Sequence, residues 1–138
     1  MSRSIPDKLR LLVAERAAFA CEYCLLHQDD LIFSCQVDHI ISLKHGGQTH
    51  EDNLALSCLT CNVNKGSDIG TVLFSGGRLT RFFNPRKDKW AAHFSISEGV
   101  ILPKTRIGEA TARIFQFNAP ERVLRRQLLM LAGRYPGK

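Results

Sequence analysis

The residues with the clearest capacity for chemistry are five cysteines, four of which form two Cys-x-x-Cys pairs. Cys21 and Cys24 make the first pair, and Cys58 and Cys61 make the second. A two-residue spacing lets a tight turn aim both sulfurs at one ion, and four thiolates complete the tetrahedral shell of Zn²⁺. We therefore expect a closed, structural zinc site, with Cys35 as a core residue. Buried free cysteines or a redox pair are the alternatives.

An acid and a histidine, Asp38 and His39, lie between the two cysteine pairs. A carboxylate is a hard ligand suited to Mg²⁺ or Mn²⁺, and neutral histidine accepts a proton near pH 7. Adjacent residues of an ideal strand point to opposite faces, so a shared site requires the strand to twist or end at this point. A purely structural role for both residues is the alternative.

Hydrophobic patterning predicts the elements that position these residues. Apolar residues at helical spacing precede the first cysteine pair, and an alternating segment followed by a short apolar run predicts two strands before the second pair. The predicted elements are a helix over 5–20 with Ser4 as its N-cap, a strand over 31–38, a loop over 40–53, a strand over 54–57 and a helix over 58–66.

The sequence beyond residue 70 predicts an extension of hairpins and helices. One hairpin turns at Gly76-Gly77, and a second turns at Glu98-Gly99. The remaining predictions are a helix over 107–117 and a last helix that opens at an Asn118 capping box and ends near Gly133. The length of 138 residues predicts one domain over 1–138, with 70–138 as its extension.

Charge is divided unevenly between the halves of the chain. Residues 1–69 hold 6 Lys and Arg against 9 Asp and Glu, whereas residues 70–138 hold 13 against 4. The basic half is the expected electrostatic footprint of a protein that binds a phosphate backbone, although a solvated surface would have a similar composition. The candidate phosphate contacts are Arg78, Arg81, Arg86, Lys87 and Lys89 in the first hairpin region, and Arg122, Arg125 and Arg126 in the last helix.

Two absences indicate where the protein works. No apolar run approaches the roughly 20 residues that span a bilayer. The first residues contain Asp7, Lys8 and Arg10, which interrupt any signal-peptide core. We therefore expect no membrane association and a cytoplasmic location, where reducing conditions favour metal-bound cysteines over disulfides.

The combination of motifs resembles the HNH endonuclease family over residues 21–65. The resemblance lies in the first cysteine pair, Val37-Asp38-His39-Ile40, Gly46-Gly47, Asn53-Leu54 and Cys58-x-x-Cys61-Asn62-x-x-Lys65. It implies an α+β fold in which residues 21–66 form a ββα-metal core, two strands joined by a long loop and followed by a helix. The four cysteines match the zinc knuckles found in a subset of that family.

The resemblance also implies roles for individual residues. His39 matches the general base that activates water, and Asn53 matches the asparagine that braces the loop. Asp38 and Asn62 match the ligands of a catalytic Mg²⁺ or Mn²⁺, and Lys65 falls where it would contact phosphate. The last motif position is often histidine, and Asn62 would supply an oxygen ligand there, which favours these hard ions.

The resulting expectation is a metal-dependent endonuclease that hydrolyses DNA phosphodiester bonds. Its partner would be DNA, in double-stranded form, and the protein would act as a monomer or a homodimer. A zinc-stabilised nucleic-acid-binding module without catalysis is the main alternative, but it leaves Asp38-His39, Asn53 and Asn62 without a reason for their spacing. A zinc-scaffolded protein-interaction domain would leave the basic half unexplained.

Overall fold

The fold is α+β, as predicted, and consists of three small antiparallel hairpins surrounded by short helices. A computed structural model describes residues 5–74 and 76–137. The helices among these residues are α1 (Asp7–Arg16), α2 (Leu59–Lys65), α3 (Trp90–His93), α4 (Arg106–Ile114) and α5 (Pro120–Leu131). The strands are β1 (Gln36–His39), β2 (Leu54–Ser57), β3 (Gly70–Leu73), β4 (Arg78–Arg81), β5 (Phe94–Ser97) and β6 (Val100–Pro103).

Strands β1 and β2, with helix α2, form the predicted ββα arrangement. Asp38 pairs with Ala55 and His39 pairs with Leu54, which places both candidate catalytic residues at the end of β1. The predicted strand over 31–38 was too long, because β1 begins only at Gln36. Its four residues are matched one to one by the four of β2. Within residues 5–74 and 76–137 no strand pairs with the preceding segment, and Ile32 and Phe33 are exposed.

The N-terminal helix α1 supports this hairpin but is shorter than the predicted 5–20. Pro6 occupies the N-cap position, and the predicted cap Ser4 lies outside the described residues. Ala18 and Phe19 adopt positive φ just beyond the helix, which is incompatible with its continuation. The Arg16 guanidinium, at the end of α1, donates to the carbonyl of Leu54 at the start of β2 and to that of Glu51 in the preceding loop.

Both predicted hairpins of the extension are present, as β3–β4 and β5–β6. Helix α4 packs on both of them. The predicted Asn118 capping box is wrong, since Ala119 is the N-cap of α5 and no side chain caps it. The Asn118 side chain instead accepts a hydrogen bond from the Ile101 amide and donates to the Ile101 carbonyl, so it fixes β6 beside the start of α5. Helix α3 was not predicted.

An aromatic cluster joins the extension to the first cysteine pair. The ring of Tyr23 lies 4.9 Å from that of Phe115 and 6.4 Å from that of Phe83, measured between centroids. The ring of Phe82 packs edge-on against Phe115. Because Tyr23 separates Cys21 from Cys24, the hydrophobic core lies directly behind the metal-binding residues. Within the described residues, no helix has the length and apolar character needed to cross a membrane.

Candidate active site and metal centre

The four paired cysteines form one buried cluster. Cys21, Cys24, Cys58 and Cys61 are fully or almost fully buried, and their sulfurs all lie within 4.8 Å of one another. The Cys24 and Cys58 sulfurs are 3.7 Å apart. Tetrahedral zinc with bonds of about 2.3 Å requires sulfur atoms about 3.8 Å apart. The donor set and its spacing therefore fit structural zinc.

Local backbone structure aims the sulfurs at a common point. Cys58 is the N-cap of α2, and its sulfur accepts a hydrogen bond from the Cys61 amide at 3.4 Å. The Cys21 sulfur accepts in the same way from the Cys24 amide at 3.5 Å. Amide donors stabilise thiolates, so each turn is suited to the charged form that a metal needs.

Glu22 attaches the first cysteine turn to β2. Its backbone amide donates to the Leu56 carbonyl at 2.9 Å, and its carboxylate accepts from the Leu56 amide at 2.8 Å. The same carboxylate forms an ion pair with Arg86, and both side chains are largely buried. Arg86, an expected phosphate contact, is therefore turned inward by a carboxylate partner that the sequence did not indicate.

His39 lies at the end of β1 with its ring held by the following loop. The residue is buried, and its Nε2 lies 2.9 Å from the Thr49 hydroxyl. Sequence reasoning missed Thr49, because no motif distinguishes a loop threonine from its neighbours. Burial lowers the pKa of His39, against the opposing effect of the Asp38 carboxylate. The neutral ring, which can accept a proton, is favoured at pH 7.

Asn53 braces the loop between β1 and β2, as the resemblance implies. Its side-chain oxygen accepts from the Ile41 amide, and its nitrogen donates to the carbonyls of Ile41 and Gln48, all at 2.9 Å. These bonds hold residues 41 and 48 of the loop, and residue 48 directly precedes Thr49. Asn53 is thus connected to the loop that contacts the His39 ring.

Asp38 on β1 and Asn62 on α2 belong to two elements that pack together. The Asp38 side chain retains 29% of its exposure, and the Lys65 ammonium lies 3.9 Å from its carboxylate. Residues three apart share a helix face, so Asn62 lies on the side of α2 from which Lys65 reaches Asp38. Burial raises the pKa of Asp38, while the charge of Lys65 opposes that rise.

Lys65 does not occupy the predicted phosphate-binding position on the surface. Its side chain is 3% exposed, and its ammonium donates to the His39 carbonyl at 3.1 Å. Burial lowers its pKa, whereas the Asp38 carboxylate acts in the opposite direction. Lys65 therefore connects α2 to the end of β1 through this hydrogen bond, whereas the sequence predicted a contact with phosphate.

The other expected phosphate contacts divide into exposed and occupied side chains. Arg78 and Lys87 are exposed. Arg81 is half-exposed but makes a two-bond ion pair with Asp88, at 2.7 and 3.0 Å. In α5, Arg125 is exposed, as is Lys89 before α3, whereas Arg122 and Arg126 are buried. The prediction of a basic α5 surface was therefore wrong for two of its three arginines.

The comparisons with known proteins agree with this geometry over the cysteine-bounded segment. Residues 21–68 match the family model described as HNH endonuclease, which confirms the resemblance seen in the sequence. The matched segment contains both cysteine pairs, β1, β2 and α2. No curated protein and no solved structure matches the chain. The family match indicates a function on nucleic acids and a capacity to bind metal.

Proposed function

We propose that this protein is a metal-dependent endonuclease that hydrolyses phosphodiester bonds of DNA. The observation that carries the proposal is the geometry at the end of β1. There, His39 is oriented by Thr49 beside the partly exposed carboxylate of Asp38, within a segment that matches the HNH family. The four cysteines are buried, and a zinc ion bound by all four would have no ligand position left for substrate. We therefore assign hydrolysis to the end of β1.

His39 would act as the general base. With the Thr49 hydroxyl accepting from Nε2–H, the lone pair of Nδ1 is left to take the proton of an attacking water. The bond between the Asn53 side chain and the Gln48 carbonyl fixes the residue just before Thr49. The ring orientation therefore depends on a chain of two contacts, from Asn53 through the loop to His39.

Asp38 and Asn62 would hold a catalytic Mg²⁺ or Mn²⁺. A carboxylate and an amide oxygen form a hard donor pair, which fits these ions better than softer metals. A divalent ion bound there would offset the negative charge of the scissile phosphate and of the leaving oxygen. Because Asp38 is partly buried, the lower local dielectric strengthens such electrostatic effects.

Arg78 and Lys87 are exposed members of the predicted DNA contacts and would bind duplex phosphates. Contacts of this kind position DNA without reading its sequence. Arg81 would contribute less, because Asp88 already neutralises it.

We also propose that the ββα core and the extension fold as one domain, because the ring of Tyr23 in the core packs on that of Phe115 in the extension. The location we propose for the protein is a reducing cytosol.

A non-catalytic DNA-binding module is the second candidate function. The ion pair between Lys65 and Asp38 favours it, because a cation already compensates the proposed ligand carboxylate. Such a protein would bind DNA in a salt-sensitive manner and leave its phosphodiester bonds intact.

Nicking of supercoiled plasmid by zinc-loaded protein, with and without added Mg²⁺ or Mn²⁺, separates the two candidates. We expect ion-dependent nicking that falls by about 10²–10⁴-fold in His39→Ala, because a general base contributes that much. His45→Ala is the matched control, since His45 is exposed in the same loop. Equal nicking by wild type and His39→Ala would overturn the proposed mechanism, and binding without any nicking would select the second candidate.

A further inference from the structure

Arg122, a buried residue of α5, reaches the sulfurs of the second cysteine pair. Its Nη2 lies 3.2 Å from the Cys61 sulfur and 3.9 Å from the Cys58 sulfur. Its Nη1 donates to the carbonyls of Phe115 and Gln116, at 2.7 and 3.0 Å. Backbone acceptors thus fix Nη1 of the guanidinium, and its other terminal nitrogen, Nη2, is directed at the thiols.

The chemistry of a four-thiolate zinc site gives this placement a reason. One Zn²⁺ and four thiolates carry about two units of net negative charge, which is costly in a buried position. Arginine remains charged in a protein interior, and its planar fork can bond acceptors on two sides at once. A permanent cation against two sulfurs compensates charge and also fixes the direction of those ligands.

We propose that Arg122 is the charge partner of the metal-bound thiolates, so that α5 is a working part of the metal centre. The proposal rests on the structural zinc assigned above, but not on nuclease activity. Under this proposal the metal site of residues 21–61 requires Arg122, which lies in the basic half of the chain. The cation that the sequence offered as a DNA contact serves the metal instead.

Two other residues of the extension support the first cysteine pair, but only through backbone. The Trp90 indole donates to the Tyr23 carbonyl at 2.8 Å, and the Tyr135 hydroxyl donates to the Cys24 carbonyl at 2.7 Å. These bonds hold the turn in place without touching sulfur. The direct contact of Arg122 with the sulfurs therefore predicts an effect on the metal itself, and not only on the stability of the fold.

The matched controls lie on the same helix. Arg126 is also buried, but it bonds the Gly99 and Phe117 carbonyls and the Asn118 side chain. Arg126→Met therefore reports the loss of a buried arginine that serves structure. Arg125→Met reports the loss of an exposed positive charge, because Arg125 lies on the solvent side of α5.

The test is metal binding by purified full-length variants, measured with a competing chelator for Zn²⁺ and by absorption of the Co²⁺-substituted protein. We expect Arg122→Met to lower zinc affinity about 10–100-fold, the usual effect of removing a partner of metal ligands. The thiolate-to-cobalt charge-transfer band should move to longer wavelength, because hydrogen bonds lower the energy of sulfur lone pairs. Arg126→Met and Arg125→Met should leave both quantities at their wild-type values.

Arg122→Lys keeps the experiment decisive if the methionine variant does not fold. Lysine retains the charge but loses the fork, so we expect an affinity between those of wild type and Arg122→Met, and a smaller band shift in the same direction. An unshifted band with wild-type affinity in either folded Arg122 variant would overturn the proposal. Wild-type protein that takes up neither ion would overturn it together with the zinc assignment, whereas loss of nicking alone would bear only on the proposed nuclease.

Discussion

The cysteine cluster and the end of β1 are two polar sites that differ in how far the protein buries them. Protein surrounds the cysteines completely, and backbone amides and Arg122 supply their hydrogen bonds. At the end of β1, Asp38 keeps part of its exposure, and the loop holds His39 from one side. The contrast supports the proposal that the cysteine site serves the fold and that a substrate binds at the end of β1.

Strand β2 and helix α2 connect the two sites. Cys58 directly follows β2 and caps α2, and Lys65 at the end of the same helix reaches Asp38. A change at the cysteines should therefore disturb both sites, whereas a change at the end of β1 should disturb only one. We therefore expect substitutions at the cysteines to have larger effects than substitutions at the end of β1.

The largest effect is expected from Cys58→Ser. Serine retains a helix-capping oxygen but not a thiolate, so the variant should lose its zinc and, with it, the folded state. Structural zinc contributes on the order of 10–16 kcal/mol in small zinc-finger peptides. Metal analysis should give near one zinc per chain for wild type and none for the variant. Cys35→Ser, outside the cluster, is the control, and zinc retained by Cys58→Ser would refute the four-cysteine assignment.

A smaller effect, confined to the open site, is expected from Asn53→Asp. The carboxylate cannot donate to the Ile41 and Gln48 carbonyls, and each lost hydrogen bond costs about 1 kcal/mol. Nicking should fall while zinc content stays at the wild-type level.

Asn64→Asp provides the matched comparison for that change. Asn64 donates to the Phe115 carbonyl on the side of α2 that faces the extension. Its replacement should lower the melting temperature without a specific loss of nicking. If Asn53→Asp and Asn64→Asp lose the same amount of nicking for the same fall in melting temperature, the Asn53 loop has no role in nicking beyond stability.

The hydroxyl of Thr49 should have a modest effect of its own. Thr49→Val removes the partner of His39 Nε2 with little change of shape. The loss of one hydrogen bond of about 1 kcal/mol corresponds to about a fivefold lower nicking rate. Single-turnover nicking measures it, with Thr71→Val in the β3–β4 hairpin as the control. An unchanged rate in Thr49→Val would mean that the hydroxyl does not orient the base.

The smallest effect is expected at the exposed cations. Combined Arg78→Gln and Lys87→Gln should reduce the salt dependence of DNA binding, because each phosphate contact contributes about −0.9 to the logarithmic slope. Arg81→Gln should change the slope less, since Asp88 already pairs with Arg81. The dependence of the dissociation constant on salt concentration measures both. A larger change for Arg81→Gln would reverse the proposed ranking of contacts.

Sequence reasoning succeeded where spacing along the chain determines structure. Two residues between cysteines define a turn, and the run at residues 54–57 became β2 with the predicted bounds. Hairpins were recognised for the same reason, since Gly76-Gly77 and Glu98-Gly99 mark their turns locally. The family resemblance rested on several such short-range signals in a fixed order, and the HNH match confirmed it.

Sequence reasoning failed where burial determines the role of a side chain. Lys65, Arg86 and Arg122 read as surface cations because charged residues are seldom buried. Each is turned inward by a partner distant in sequence: the His39 carbonyl, Glu22 and the Cys61 sulfur. The prediction of a strand over 31–38 failed similarly for residues 31–35, because alternation indicates a strand only if another strand is there to pair with it.

The most direct test of the two-site account is Asp38→Ala, with zinc content and ion-dependent plasmid nicking measured on the same sample. Asp38 is proposed to bind only the catalytic ion, so the variant should keep near one zinc per chain and lose the nicking that Mg²⁺ or Mn²⁺ supports in wild type. A variant that nicks plasmid at the wild-type rate, or that loses its zinc together with its activity, would contradict the separation of the two sites.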